Sequence, residues 1–246
     1  MDLQPSLRWA ALAGLALIAA GNWPRGGLPG AHALPPELQL EPEQHATDRA
    51  PFTTTVKGVE YTVKPLFTYE IWGMVVSKHD AGVWYEFAHK QWKDHLNVAD
   101  VCLVFGDNVR TGAYQGLNYS SGEYTCCVDA PTQEKWEAFW PTDLSNNHLL
   151  TDQPRLAKSL RRVQLGDQVR IRGFLVEYAH HSGMEFKRGT STVRTDQGDG
   201  ACETIWVEEF EVLKPGPPTW KWMGWVGASL LAACGAGWLF LPLRVR

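Results

Sequence analysis

The sequence predicts a β-rich α+β domain lying outside the cytoplasm, with a C-terminal transmembrane helix behind it. Three observations predict this class. Apolar and polar residues alternate in runs such as Val59 to Val63 and Val169 to Leu175, the period of half-buried strands. Short segments at helical spacing lie between those runs. The tail from Trp222 to Leu243 has 22 residues and no charge.

At roughly 1.5 Å per residue, such a tail reaches about 33 Å, against a hydrocarbon core of about 30 Å. Trp220, Trp222 and Trp225 stand at one end and Trp238 near the other, where amphipathic rings favour the headgroup zone. Lys221 precedes the run, and Arg244 and Arg246 follow it. We therefore expect a transmembrane helix over 220–243 and a cytoplasmic tail over 244–246. Gly224, Gly227, Gly235 and Gly237 leave room for a second helix to approach closely.

From the start of the chain, residues 1–33 read as a signal peptide or an N-terminal anchor. Arg8 precedes the apolar run Trp9 to Gly21, and Ala31-His32-Ala33 has a cleavage-site form. Arg8 at the front and Arg244 and Arg246 at the back belong in the cytoplasm under the positive-inside rule. The intervening chain then lies in the periplasm or its equivalent, where disulfides persist. Residues 34–50, rich in Pro, Glu and Gln, read as a flexible leader.

The folded domain is expected over 51–215. A hairpin turns at Lys57-Gly58, and a second strand follows over 66–77. Trp84, Phe87, Ala88, Trp92 and Leu96 predict an amphipathic helix over 83–96. Val101 to Phe105 is a buried strand turned by Gly106-Asp107-Asn108, and Arg110 to Gly122 a loop. Tyr124 to Val128 is a strand carrying Cys126 and Cys127. Short helices are expected over 132–139 and 152–163, strands over 168–178 and 203–213, and an extended piece over 186–195.

Strand, helix and then strands closing on an apolar-acidic strand resemble the OB-fold, over about 164–213. The resemblance implies an OB-like barrel portion. The segments GDQVRIRGFLVEY and STVRTDQGDGACETIWVEEFEVL are also similar to a recurring segment of membrane-anchored bacterial envelope proteins, which brings location and fold but no activity.

Between Leu34 and Thr219 there are 18 basic residues against 26 acidic ones, a net charge of −8 that repels nucleic acid at long range. The one basic cluster, Arg155, Lys158, Arg161, Arg162, Arg170 and Arg172, is the candidate binding surface for an acidic or phosphate-bearing partner. The eight histidines show no ligand spacing and read as surface residues, so no metal and no cofactor is expected. No nucleophile motif appears, so no catalytic residue is assigned. Cys126, Cys127 and Cys202 are the disulfide candidates, with a bridge from one of the vicinal pair to Cys202. Cys102 reads as a buried apolar residue.

Together these readings imply a membrane-anchored extracytoplasmic binding or assembly module, a subunit or accessory of an envelope protein complex. Its expected partners are the membrane, through the C-terminal span, and an envelope protein. The other classes are an OB-type oligosaccharide or nucleic-acid binder and an enzyme with a dispersed site.

Overall fold

The computed structural model describes residues 4–22, 27–83, 86–193, 195–196, 198, 201–217 and 221–240. It divides into two compact units, residues 28–217 and the two chain ends, 1–27 with 218–246.

The terminal unit consists of two helices, α1 (Gln4–Asn22) and α6 (Lys221–Phe240). They are antiparallel: Gly14 meets Gly227 and Leu231, whereas Ile18, further along α1, meets Gly227. Glycine is what permits this approach. A Cβ on Gly227 would lie 2.5 Å from the Gly14 carbonyl oxygen and 2.9 Å from Ile18, so the backbones would have to part. The glycine-rich tail thus finds its partner helix within the same chain. Among the described residues, no helix is long and apolar enough to cross a membrane. This corrects the expectation of a transmembrane helix over 220–243. The expected span counted Trp220 and residues 241–243, which lie outside the described residues, and Gly224, Gly227, Ser229, Gly235 and Gly237 dilute what remains.

The larger unit is β-rich α+β with a mixed sheet. Its elements in order are β1 (Glu43–Ala46), β2 (Phe52–Val56), β3 (Val59–Asp80), α2 (Ala88–Gln91), β4 (Asn97–Val104), α3 (Gly106–Thr111), β5 (Asn118–Gly122) and β6 (Thr125–Asp129). There follow α4 (Gln133–Ala138), β7 (Leu144–Leu150), α5 (Pro154–Arg162), β8 (Gln168–His180), β9 (Phe186–Arg188) and β10 (Cys202–Lys214).

Five strands pair in a ring: β3 with β4, β4 with β7, β7 with β10, β10 with β8, and β8 back to β3. Only the β7–β10 pair in it is parallel. The 22-residue β3 makes this possible, since its middle pairs with β8 and its last third with β4. Register shifts at Pro65/Phe67 and Val75/Ser77 mark bulges, which bend a strand. Gly173 is required where β8 crosses β10, because a Cβ there would overlap the Trp206 carbonyl. The ring draws on residues 59–214.

Period-two alternation places Tyr69, Ile71, Val101, Leu103, Leu149, Val169, Ile171, Leu175, Ile205 and Val207 in one cluster, with Leu160 and Val163 at the C-terminal end of α5. The opposite faces of β3 and β4 carry Met74, Val76, Cys102 and Val104. These are covered by Leu34, Leu38, Tyr114 and Phe139, so β4 is buried on both sides.

Several segments differ from expectation. The supposed flexible leader is packed: Leu38 is fully buried, and β1 pairs with β3. Its Pro and Glu content sets it on the rim, but Leu34 and Leu38 at four-residue spacing reach the core. The helix expected over 83–96 is reduced to Ala88–Gln91; Lys93, at φ 52°, ends it, and Leu96 belongs to the core beside β4. Residues 84–85 lie outside the described residues. Gly106-Asp107-Asn108 opens α3, and part of the expected loop over 110–122 is β5.

Candidate functional site

The site is built on β4 and β7, whose antiparallel register sets Asp100 directly opposite His148. Both side chains are fully buried, and His148 Nδ1 lies 2.6 Å from Asp100 Oδ1. The second Asp100 oxygen accepts the Tyr124 backbone N–H at 3.1 Å, and Asn97 Nδ2 donates to the first at 2.8 Å. Burial alone would raise the Asp100 carboxyl, but hydrogen bonding and charge from His148 outweigh it and hold the group at about 2.

On its other side His148 meets Arg188. Arg188 Nη2 lies 3.0 Å from His148 Nε2. A guanidinium can only donate, so Nε2 accepts and the imidazole proton sits on Nδ1, facing Asp100. Arg188 is brought there by β9, where it pairs with Tyr178 of β8. Its guanidinium carbon lies 3.6 Å from the centroid of the Tyr124 ring, a cation–π contact.

Tyr124 sits at the tip of the β5–β6 hairpin with φ 60°. A bulky residue in the left-handed region costs on the order of 1 kcal/mol or more and persists only where its surroundings hold it. Here its N–H goes to Asp100, its carbonyl accepts from Asn146 Nδ2 at 3.0 Å, and its hydroxyl reaches Asp94 Oδ2 at 3.3 Å. The ring also stacks on Trp92 and tilts against His89. Burial pushes the Tyr124 phenol far up, and the nearby Asp94 charge adds to that.

A further polar set adjoins this one. Glu86, buried, lies 2.6 Å from His79 Nε2 and 2.9 Å from His89 Nδ1. These three residues present donor atoms within 4.8 Å of one another, a combination suited to a divalent transition metal. Without a metal, the same atoms are joined by hydrogen bonds. Asn97 Nδ2 donates to His89 Nε2 at 3.1 Å, which leaves the His89 proton on Nδ1, facing Glu86. The three groups are joined by protons. Burial would raise the Glu86 carboxyl, but the hydrogen bonds from His89 and His79 prevail and lower it.

The polar chain opens on a cleft of about 760 Å³, whose walls include Tyr124, Cys127, Asn146, His148, Arg188 and Cys202. Asn146 and His148 share one face of β7, and Cys202 is paired with Asn146 across the parallel β7–β10 ladder. The Cys202 thiol lies 3.4 Å from Asn146 Nδ2, and burial raises its pKa. A thiol held up in this way is a weak nucleophile, and the acceptor nitrogen of His148 is occupied by Arg188.

The expected bridge to Cys202 is corrected: Cys102 pairs with Cys126, Cα atoms 6.0 Å apart, and Cys127 and Cys202 are free thiols. The β5–β6 hairpin lies against β4, with Ser121 Oγ 3.7 Å from Cys102 Sγ, and Ser121 pairs in register with Cys126. Strand alternation then turns Cys127 outward. Cys102 is buried as expected, but bridged.

The basic cluster does not assemble into one surface. Arg155 and Arg162 are exposed on α5. Arg161 lies 3.7 Å from Asp80 and lines a second pocket of about 190 Å³ with His89 and Asp94. Arg170 and Arg172, on β8, are shared among Glu70 and Glu209. Sequence reasoning missed Arg188, Asp100, His148 and Tyr124. The surface reading of the histidines is corrected for His89, His148 and His180, which are all buried.

Among known proteins, no family model, no curated protein and no solved structure matches the chain.

Proposed function

We propose that the protein is a membrane-tethered extracytoplasmic binding module, an accessory of an envelope complex, whose β-rich domain takes a polar ligand in the cleft at Arg188 and His148. The observation that carries this reading is the cleft itself. A buried carboxylate with its hydrogen-bonded chain is costly to assemble, and the solvent-facing end of this one is a single guanidinium in the cleft wall.

Tethering is supported by the terminal helices. Trp9 is 72% exposed and Trp225 77%, and Leu12, Leu15, Trp222 and Trp238 are exposed as well. Apolar surface of this extent on a two-helix pair suits lipid better than water. Pairing within the chain favours a retained N-terminal helix over a cleaved signal. The Cys102–Cys126 bridge supports an oxidising compartment. The ring order, with α5 leading into β8, supports the OB-like reading, and in such folds loops beside the ring carry the ligand. The polar lining favours an oligosaccharide or peptide, and the net charge of the domain disfavours nucleic acid.

Carbonate extraction, combined with a membrane-impermeant maleimide on intact cells, tests location. The full chain should stay in the membrane pellet, and exposed Cys127 should be labelled without lysis. Release by carbonate, or labelling only after lysis, overturns the tethered extracytoplasmic reading.

A further inference from the structure

We propose that Arg188 is the docking point for a single carboxylate carried by an otherwise polar ligand. This rests on the reading of the cleft as the binding site and names the chemistry it selects.

The guanidinium is aimed and only partly used. One nitrogen donates to His148 Nε2, and its face lies on the Tyr124 ring. Five N–H donors are available in a fixed fork, so most of them remain for a ligand. Arg49, Arg110, Arg161, Arg170 and Arg172 each have a carboxylate within 4.0 Å. Among the described residues, none lies that close to Arg188.

Its aim is fixed by a chain of groups that runs from the cleft wall into the interior. His148 is held by Asp100, which is held by Asn97 and by the backbone of Tyr124. Tyr124 in turn is held in a left-handed conformation by Asn146 and Asp94. Stacking and one hydrogen bond define the plane of the guanidinium, which is what bidentate recognition of a planar carboxylate requires.

The charges around the cleft disfavour a polyanion and leave the Arg188 fork to match one carboxylate. Lys187 also lines the cleft, but it lies 3.5 Å from Glu177. Asp196 lines the cleft as well; it accepts a hydrogen bond from Ser191 and keeps its negative charge, which opposes a second negative charge on the ligand. Among the described residues of the cleft wall, Arg188 is thus a cation with no carboxylate within 4.0 Å, in a domain of net charge −8 that repels polyanions. A dianionic phosphate is poorly matched. Thr125, Asn146 and Thr190 make the remaining wall hydrophilic.

The test uses the full chain in detergent micelles, labelled with ¹⁵N-arginine, with Arg188 assigned by its loss in Arg188→Lys. Probes are N-acetyl-glycyl-alanine with a free carboxylate, its C-terminal amide, glucuronate, glucose and inorganic phosphate. At least one free carboxylate should shift the Arg188 side chain saturably, while its neutral counterpart does not. Which of the two binds separates a peptide end from an acidic sugar. Calorimetry should show that Arg188→Gln weakens that probe about ten-fold or more, with Arg188→Lys between it and wild type. Unchanged circular dichroism keeps this distinct from misfolding. His148→Gln, whose side-chain oxygen can still accept from Arg188, should retain more affinity than His148→Leu at equal folding stability.

No response to either carboxylate, equal binding by Arg188→Gln, or tighter binding of phosphate overturns the proposal. If glucose binds wild type and Arg188→Gln equally by calorimetry, the carboxylate is wrong while the cleft stands as a binding site.

Discussion

Asp100 and His148 stand directly opposite each other in the β4–β7 ladder and share a 2.6 Å hydrogen bond with neither side chain exposed. The pair gives acid sensitivity a defined sign. The Asp100 carboxyl is held at about 2 in the fold against an ordinary 3.8. A depressed folded value contributes stability above the unfolded value and loses it as the pH falls from about 4 to about 2. The loss amounts to roughly 2 kcal/mol. Urea unfolding of the full chain in detergent at several pH values should show it. Asp100→Asn should flatten that window and cost about 1.5–3 kcal/mol at neutral pH, because the His148 N–H exchanges a charged acceptor for a neutral amide. An Asp100→Asn curve parallel to wild type between pH 4 and 2 would remove Asp100 as the origin.

Tyr124 invites a comparison of two truncations. Tyr124→Ala and Tyr124→Gly both remove the ring and its contacts with Arg188 and Trp92. Only glycine accepts φ 60° without cost. Tyr124→Gly should therefore be more stable than Tyr124→Ala by on the order of 1 kcal/mol, the reverse of the order in an ordinary strand. Equal stabilities would mean that the hairpin tip relaxes out of the left-handed region.

The cysteines should separate by alkylation rate. Without reductant, Cys102 and Cys126 should resist. Exposed Cys127 should react quickly and Cys202 slowly, since burial both shields that thiol and raises its pKa. The bridge closes a 24-residue separation, for which chain entropy is worth about 3 kcal/mol. Mass mapping of the unreduced protein decides the pairing, and a Cys126–Cys202 peptide would refute it.

Gly227→Leu should part the terminal helices, because its first side-chain atom already meets the Gly14 carbonyl oxygen and Ile18. Hydrogen exchange of α1 peptides should quicken in the variant, with the β-rich unit unchanged. Protection equal to wild type would show that the helices do not depend on this contact.

Much of the ring could be read from alternation. The hairpin at Lys57-Gly58 and the strands β8 and β10 are where periodicity placed them, because each has one face in the core and one that is polar. β7 went unread, since Leu144-Ser145-Asn146-Asn147-His148 offers almost no apolar signal. The strand is nonetheless buried: Asn147 bonds to Ser145 and to the Val101 carbonyl, and Asn146 and His148 face the cleft. Its polarity is the signature of the site and the reason that hydrophobic period missed it. The false helix over 83–96 has the converse cause, for Phe87 is exposed while Leu96 belongs to a core cluster, so their spacing did not describe one face. Arg188 carried no local signal, because its neighbours Tyr124 and His148 are 64 and 40 positions away.

The parallel pairing of β7 with β10 governs when this domain can be finished during its manufacture. Every strand of the ring except β10 is made before residue 181, yet the free edge of β7 has to wait for residues 202–206. Until then the nascent chain offers two open edges, on β7 and β8, and a half-covered interior, the state most exposed to wrong pairing and to proteolysis. Synthesis of the growing chain past residue 214 therefore precedes completion, and α6 follows within seven residues. Ring closure and docking of the last helix against α1 fall almost together at the end of synthesis. A ribosome stalled near residue 195 would hold a domain that protease still cuts, and one released after residue 240 would hold a domain that it does not.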